Sequence, residues 1–229
     1  MAMKLILTLA AISSAALAAD PVSLFNGKDL SNWEAKAGKS ESKWAVGEPK
    51  TSAEKPELLT ITGTAGAMVN LAAKHGDSLD FYSKEKFGSC RIELDFMVPK
   101  GSNSGIYVMG EYEVQVFDSY GKANDKMGPG DMGAIYGAAV PKVNASKPAG
   151  EWQHFVIEWQ APKFDAQGMK TANAKFIKVE LNGQVLHENL EMKSQTPGGV
   201  TGKEHAEGPI MFQGNHGAVA YKNIKVTAL

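Results

Sequence analysis

The 229-residue chain has a single cysteine, Cys90, so no internal disulfide can form. A lone cysteine at the start of an apolar strand, with no histidine near it in sequence, reads as a small buried hydrophobe and not as a nucleophile. Charge is balanced, with a formal net charge of −1, which offers nothing to nucleic acid or to an anionic membrane surface. No apolar run approaches the roughly 20 residues a membrane-spanning helix needs. HExxH, CxxC and EF-hand patterns are missing, as are a GxSxG elbow and a phosphate-cradling glycine loop. Helical periodicity is also missing over any span of several turns; only a short helix near Leu71 to His75 is compatible with the pattern. Neither an internal repeat nor a low-complexity linker divides the chain.

An uncharged run, Leu5 to Leu17, follows Lys4, and Ala16-Leu17-Ala18 stands at its end. That is the plan of a secretory signal peptide, cleaved near Ala18 or Ala19. Residues 1–19 are therefore expected to be a leader, and the mature chain, residues 20–229, a single domain in the periplasm or outside the cell. Its hydrophobic fraction of 43% is ordinary for a globular protein.

The mature chain reads as strands and turns. In Arg91 to Val98, Ile92, Leu94, Phe96 and Val98 point one way and the polar positions the other. Ile106 to Met109 and Glu111 to Phe117 are strands around a tight turn at Gly110. Trp152 to Trp159 is aromatic and β-branched. Lys175 to Leu181 and Gln184 to His187 flank Asn182-Gly183, a strong hairpin signal because both turn residues accept positive φ. Pro209 to Gln213 and Ala218 to Val226 are expected as a closing pair, and Trp44 to Val46, Leu58 to Thr62 and Ala67 to Val69 as short strands. Many short strands with glycine-rich turns predict an all-β sandwich or barrel. Two irregular segments, Ser119 to Gly150 and Glu191 to Glu207, are long enough to be lids or binding loops.

Chemistry concentrates at Glu111-x-Glu113-x-Gln115. Side chains two apart on a strand share a face, so these three project together while Tyr112, Val114 and Val116 face the core. Taken alone, they could be an ordinary solvated face. Tyr107 on the neighbouring strand, with Glu93 and Asp95 from the Arg91 strand, could join them. Planar polar groups and an aromatic ring on one curved sheet suit a carbohydrate. Carboxylates in proximity push their pKa values apart and can supply an acid and a base. His216, in Gln213-Gly214-Asn215-His216-Gly217, is open to three roles: general base, metal ligand or turn residue. His154 and His187 read as strand residues. No ligand spacing defines a metal site, so the cofactor question stays open between none and a divalent cation.

Several stretches together resemble the bacterial 3-keto-disaccharide hydrolase family. They include Leu24-Phe25-Asn26-Gly27-Lys28-Asp29-Leu30 with Trp33, and Lys84-Glu85-Lys86-Phe87-Gly88. Gly101-Ser102-Asn103-Ser104-Gly105-Ile106-Tyr107 and Tyr112-Glu113-Val114-Gln115-Val116-Phe117-Asp118-Ser119-Tyr120 match most strongly. Gly133-Ala134-Ile135-Tyr136, Gly150-Glu151-Trp152-Gln153, Gly208-Pro209-Ile210, Gln213-Gly214-Asn215-His216-Gly217 and Lys222-Asn223-Ile224 follow in order. Lys222 departs from the arginine frequent in the family, and a lysine cannot make a bidentate fork.

The resemblance implies a concanavalin A-like jelly roll of two antiparallel sheets with ligand on the concave one. It also implies action on glycosides already oxidised at C3. A C3 ketone acidifies the C2 proton; its removal gives an enolate that expels the C1 substituent, and water addition completes net hydrolysis. Such a site needs a base, an enolate stabiliser and a leaving-group acid. Glu113 or His216 is the expected base, with Glu111 and Asp118 as further candidates. Tyr107, Gln115 and Gln213 are expected to bind hydroxyls or the oxyanion, Tyr136 to cover the sugar, and Asp118 and Lys222 to contribute to substrate binding. A divalent cation could stabilise the oxyanion. The competing function is a non-catalytic, lectin-like binding module, and a further one a structural domain of the envelope.

Overall fold

The computed structural model describes residues 20–229. The expected leader lies outside the described residues. An eight-stranded antiparallel sheet runs in the order β13 (Gln184–Met192), β12 (Ala174–Leu181), β9 (Trp152–Gln160), β6 (Cys90–Met97), β15 (Val219–Ala228), β4 (Leu59–Asn70) and β3 (Trp44–Thr51). The short β1 (Val22–Ser23) pairs with β15. A five-stranded antiparallel sheet runs β2 (Trp33–Ala35), β5 (Phe81–Phe87), β14 (Gly208–Phe212), β7 (Asn103–Val108) and β8 (Tyr112–Phe117). A small ribbon joins β10 (Lys163–Phe164) to β11 (Lys170–Ala172). Among the described residues the one helical element is a 3-10 turn at Asn124–Lys126. The expected all-β jelly-roll sandwich is the fold observed.

Alternation places the core between the sheets. Ile92, Leu94 and Phe96 of β6 are fully buried in one cluster with Val114 and Val116 of β8 and Ile106 and Val108 of β7. Aromatic rings tie the layers together: Phe212 of the small sheet stacks on Tyr221 of the large one with centroids 3.9 Å apart. Each such ring removes apolar surface from water, worth about 1.5–3 kcal/mol per large side chain. Asn182 and Gly183 both take positive φ, as the hairpin signal requires, and Leu181 pairs with Gln184 across the turn.

Three expectations change. Pro209–Gln213 and Ala218–Val226 do not pair: β14 lies in the small sheet and β15 in the large one. The intervening Gly214–Gly217 turn carries the chain between layers, so the segment closes the sandwich and not one sheet. The Leu71 to His75 stretch forms no helix. The two short strands from Leu58 to Val69 are one strand, β4, and its register against β3 shifts between Gly47 and Glu48.

Candidate active site

The outward face of the small sheet carries the polar cluster. Tyr107 of β7 lies opposite Glu113 of β8, and Gly105 opposite Gln115. On the other side of β7, Met211 of β14 faces Tyr107, and the Gln213 amide donates to the Gly105 carbonyl at 2.9 Å. Tyr107, Glu113, Gln115 and Gln213 therefore share one face of three adjacent strands. With Asn103, Tyr136, Pro197, Gly198 and His216 they line a cleft of about 210 Å³. That is smaller than the 300–1,000 Å³ or so of a site for a drug-sized ligand, and suits about one sugar ring.

Glycine makes room for the carboxyl. A Cβ at Gly105 would collide with the Glu113 carboxyl, which lies across that bare stretch of β7. Glu113 is only 3% exposed. Burial pushes its carboxyl up to about 7; the Tyr107 phenol beside it partly counters this and the charge of Asp80 adds to it. Burial likewise raises Tyr107, which stays a protonated phenol and donates to the Pro197 carbonyl at 3.2 Å. Gln115 gives its amide hydrogens to Asn103 Oδ1 and the Gly130 carbonyl, and Gln213 donates to the Tyr107 hydroxyl at 3.4 Å. The carboxamide oxygens of both glutamines are buried without a hydrogen-bond partner. Two unpaired acceptors in one small cleft carry a desolvation cost of about 1–3 kcal/mol each, relieved by a ligand that brings hydroxyl donors.

His216 completes the cleft from the β14–β15 turn. Its Nδ1 is hydrogen-bonded to Asn215 Oδ1, a pure acceptor, so in the neutral ring Nδ1 carries the proton and Nε2 the lone pair. Burial, and then the His75 ring packed edge-on with centroids 4.5 Å apart, lower its pKa; Asp80 opposes them. Asp80 accepts from the Gly214 and Asn215 amides and so holds the turn.

Two irregular segments wall the cleft. Gly133–Tyr136 covers the free edge of β8: the Gly133 amide donates to Gln115 O and the Tyr136 amide to Glu113 O. His187 anchors this segment from the large sheet through Nε2 and the Gly133 carbonyl at 2.8 Å. The second segment is a strap from Thr196 to Gly202. Thr196 N and Oγ1 both donate to Glu111 O, and Lys36 Nζ donates to Gly198 O at 2.7 Å. A Cβ at Gly198, whose φ is +88°, would press on the Tyr107 hydroxyl.

The structure thus brings Tyr107, Glu113, Gln115, Tyr136, Gln213 and His216 into one cleft and leaves five expected residues outside it. Glu111 precedes β8, in the turn from β7, and its carboxylate accepts from Thr201 N, Thr201 Oγ1 and Gly202 N at 2.7, 2.8 and 3.0 Å. It anchors the strap. Asp118 accepts from the Gly101 amide at 2.9 Å and fixes the turn before β7. Lys222 lies in the large sheet opposite Asp95, its ammonium 3.9 Å from the Trp152 ring centroid. Glu93 and Asp95 are likewise in the large sheet: Glu93 pairs with Arg91, and Asp95 with His154 and Asn223. Cys90 is fully buried with its thiol pushed up to about 12, which suits the packing role.

Asn103, Asp80 and Lys36 were missed. Asn103 stands inside the Gly101–Tyr107 motif and could have been found there; Asp80 and Lys36 reach the region only through strand order. A larger cleft, about 730 Å³, lies on the far side of the strap around Tyr82, Met109 and Pro209, and its carboxylate residues are Glu34, Glu207 and the strap anchor Glu111. The described residues hold no group of three or more His, Cys, Asp or Glu side chains placed to share a metal ion. They also contain no helix long and apolar enough to cross a membrane.

Fold and cleft together define a β-sandwich with a sugar-sized site on its smaller sheet. Residues 20–227 match the family described as the 3-keto-alpha-glucoside-1,2-lyase-like domain, and the chain belongs to that family. A solved structure of a candidate glycosyl hydrolase from Parabacteroides distasonis is 29% identical. The alignment covers 92% of this chain and 84% of that one, with a TM-score of 0.67. A second candidate glycosyl hydrolase from the same organism, 19% identical with a TM-score of 0.60, shares the fold over 91% of this chain and 94% of its own. No match is found among curated proteins.

Proposed function

We propose that the protein cleaves 3-keto-glycosides by elimination, with His216 as the base and Glu113 as the acid. One observation carries this reading: the cleft holds a neutral imidazole with a free Nε2 lone pair and a buried carboxyl at about 7, beside two unpaired amide acceptors. His216 Nε2 takes the C2 proton, and the C2–H electron pair moves into an enolate whose charge rests on the C3 oxygen. The enolate collapses to a C1=C2 double bond as the C1–O bond breaks, and protonated Glu113 gives its proton to the departing oxygen. Water adding at C1, with reprotonation at C2, completes net hydrolysis. The Gln115 and Gln213 carboxamide oxygens accept from sugar hydroxyls. Asn103, whose Oδ1 is occupied by Gln115, supplies amide hydrogens as donors to the enolate.

Leaving-group dependence tests the assignment. Glu113→Gln is expected to slow release of an alkoxide leaving group by about 10²–10⁴-fold, the range for a lost general acid, and to spare a nitrophenolate that needs no proton. His216→Ala is expected to slow both. Equal loss on both substrates in Glu113→Gln would make Glu113 the base instead.

The unpaired glutamine acceptors also suit a binding module, which needs no proton transfer. In that case Glu113→Gln changes affinity alone, and wild-type protein turns over no glycoside, oxidised or not. Export to the periplasm or beyond, read from residues 1–19, belongs to the same proposal.

A further inference from the structure

A second depression of about 450 Å³ adjoins the Glu113 cleft, lined by Tyr136–Ala138 and Glu191–Pro197. Tyr136 and Pro197 border both spaces. Both walls are tied to the main chain of Glu113. Its carbonyl accepts from the Tyr136 amide at 3.3 Å, and its amide donates to Thr196 Oγ1 at 2.9 Å. The second space therefore opens at the outer edge of β8, alongside the Glu113 main chain, and Tyr136 and Pro197 join it to the cleft that holds the carboxyl assigned as leaving-group acid. A group attached through C1 of a sugar in the first cleft has to lie near that acid.

The ridge between the two spaces is aromatic. Tyr136 is 42% exposed, and only Tyr120 among the aromatic residues described shares that degree of exposure. Rings of this kind offer a flat apolar face with a polar tip, which suits the C–H face and hydroxyls of a pyranose. The opposite rim is polar, with exposed Lys193 and Ser194, while Gln195 is tied to the Gly202 carbonyl and so stiffens the wall.

We propose that this depression is the leaving-group subsite and that its occupant is a second sugar ring, stacked on Tyr136 and hydrogen-bonded at the Lys193–Ser194 rim. The assignment rests on the elimination reading for its direction, since that reading places the acid at Glu113.

The test compares kcat/KM for a 3-keto-disaccharide, methyl 3-keto-glucoside and nitrophenyl 3-keto-glucoside in wild type, Tyr136→Ala, Tyr136→Phe and Ser194→Trp. The disaccharide-to-methyl ratio is expected to fall at least about tenfold in Tyr136→Ala and Ser194→Trp, through the KM of the disaccharide, and to hold in Tyr136→Phe. A ratio within twofold of wild type in both cleft variants overturns the subsite. An equal fall for the nitrophenyl substrate overturns the sugar as its occupant. Should wild type turn over no ketone at all, the elimination reading fails, and titration with an unoxidised disaccharide and with methyl glucoside decides the subsite separately. Tighter binding of the disaccharide that is lost in Tyr136→Ala supports it; equal affinity for the two overturns it.

Discussion

Burial acts on the pKa values of Glu113 and His216 in opposite senses and favours the uncharged form of both. A carboxyl loses its charged form by keeping its proton, and an imidazole by giving its proton up. The rate should therefore peak at weakly acidic pH. It falls above about 7 as Glu113 ionises, and falls on the acid side, below the ordinary 6.5 of histidine, as His216 protonates. A rate that rises through pH 7 would make Glu113 the base. Gly105 controls the same carboxyl by what it omits. Gly105→Ala is expected to lower kcat about 10²-fold, the cost of misplacing a reacting group by about 1 Å, and to move the alkaline limb of the pH profile. Unchanged kcat and an unmoved limb would show that the carboxyl does not need that space.

At the scale of elements, the cleft depends on what covers the open edge of β8. Thr196–Gly202 is held there by Glu111, whose buried carboxylate takes three hydrogen bonds from the strap. Glu111→Ala is expected to cost about 1–3 kcal/mol of stability in a denaturant titration and to raise KM, with the pH limb set by Glu113 kept in place. A lost limb with intact stability would put Glu111 into the chemistry. Alternation in Arg91–Val98 and Tyr112–Phe117 was enough to read β6 and β8, their faces and the core, since a one-residue slip would bury every charge. The same alternation put Glu111 on the face of Glu113, and there it misled. Met109 and Gly110 both take positive φ, and the turn they make leaves Glu111 outside the ladder. Lys222 belongs to a different layer from the one its motif neighbours suggested. Asp80 and Lys36 carry no local pattern; only the β2–β5–β14 order brings them to His216 and the strap.

For the whole molecule, the buried acid is a stability cost that depends on pH. The folded pKa of Glu113 lies above the unfolded value, so the stability it contributes is complete below about 4.5 and is lost as pH rises to about 7. The shift corresponds to roughly 3 kcal/mol at pH 8, on the scale of 1.36 kcal/mol for each pKa unit. Glu113→Gln should raise the melting temperature at pH 8 and change it little at pH 4. An equal effect at both values would mean that the carboxyl ionises in the folded protein as it does in the unfolded chain, and that burial does not hold its proton.

The central claim is that the cleft of the small sheet eliminates the C1 substituent of a sugar oxidised at C3. The most direct measurement is NMR of the protein incubated with a 3-keto-disaccharide and, separately, with its unoxidised parent. The account predicts release of the leaving sugar from the ketone alone, with the C1=C2 enone or its hydrate as the partner product. Release from the parent at a comparable rate, or from neither, would contradict it.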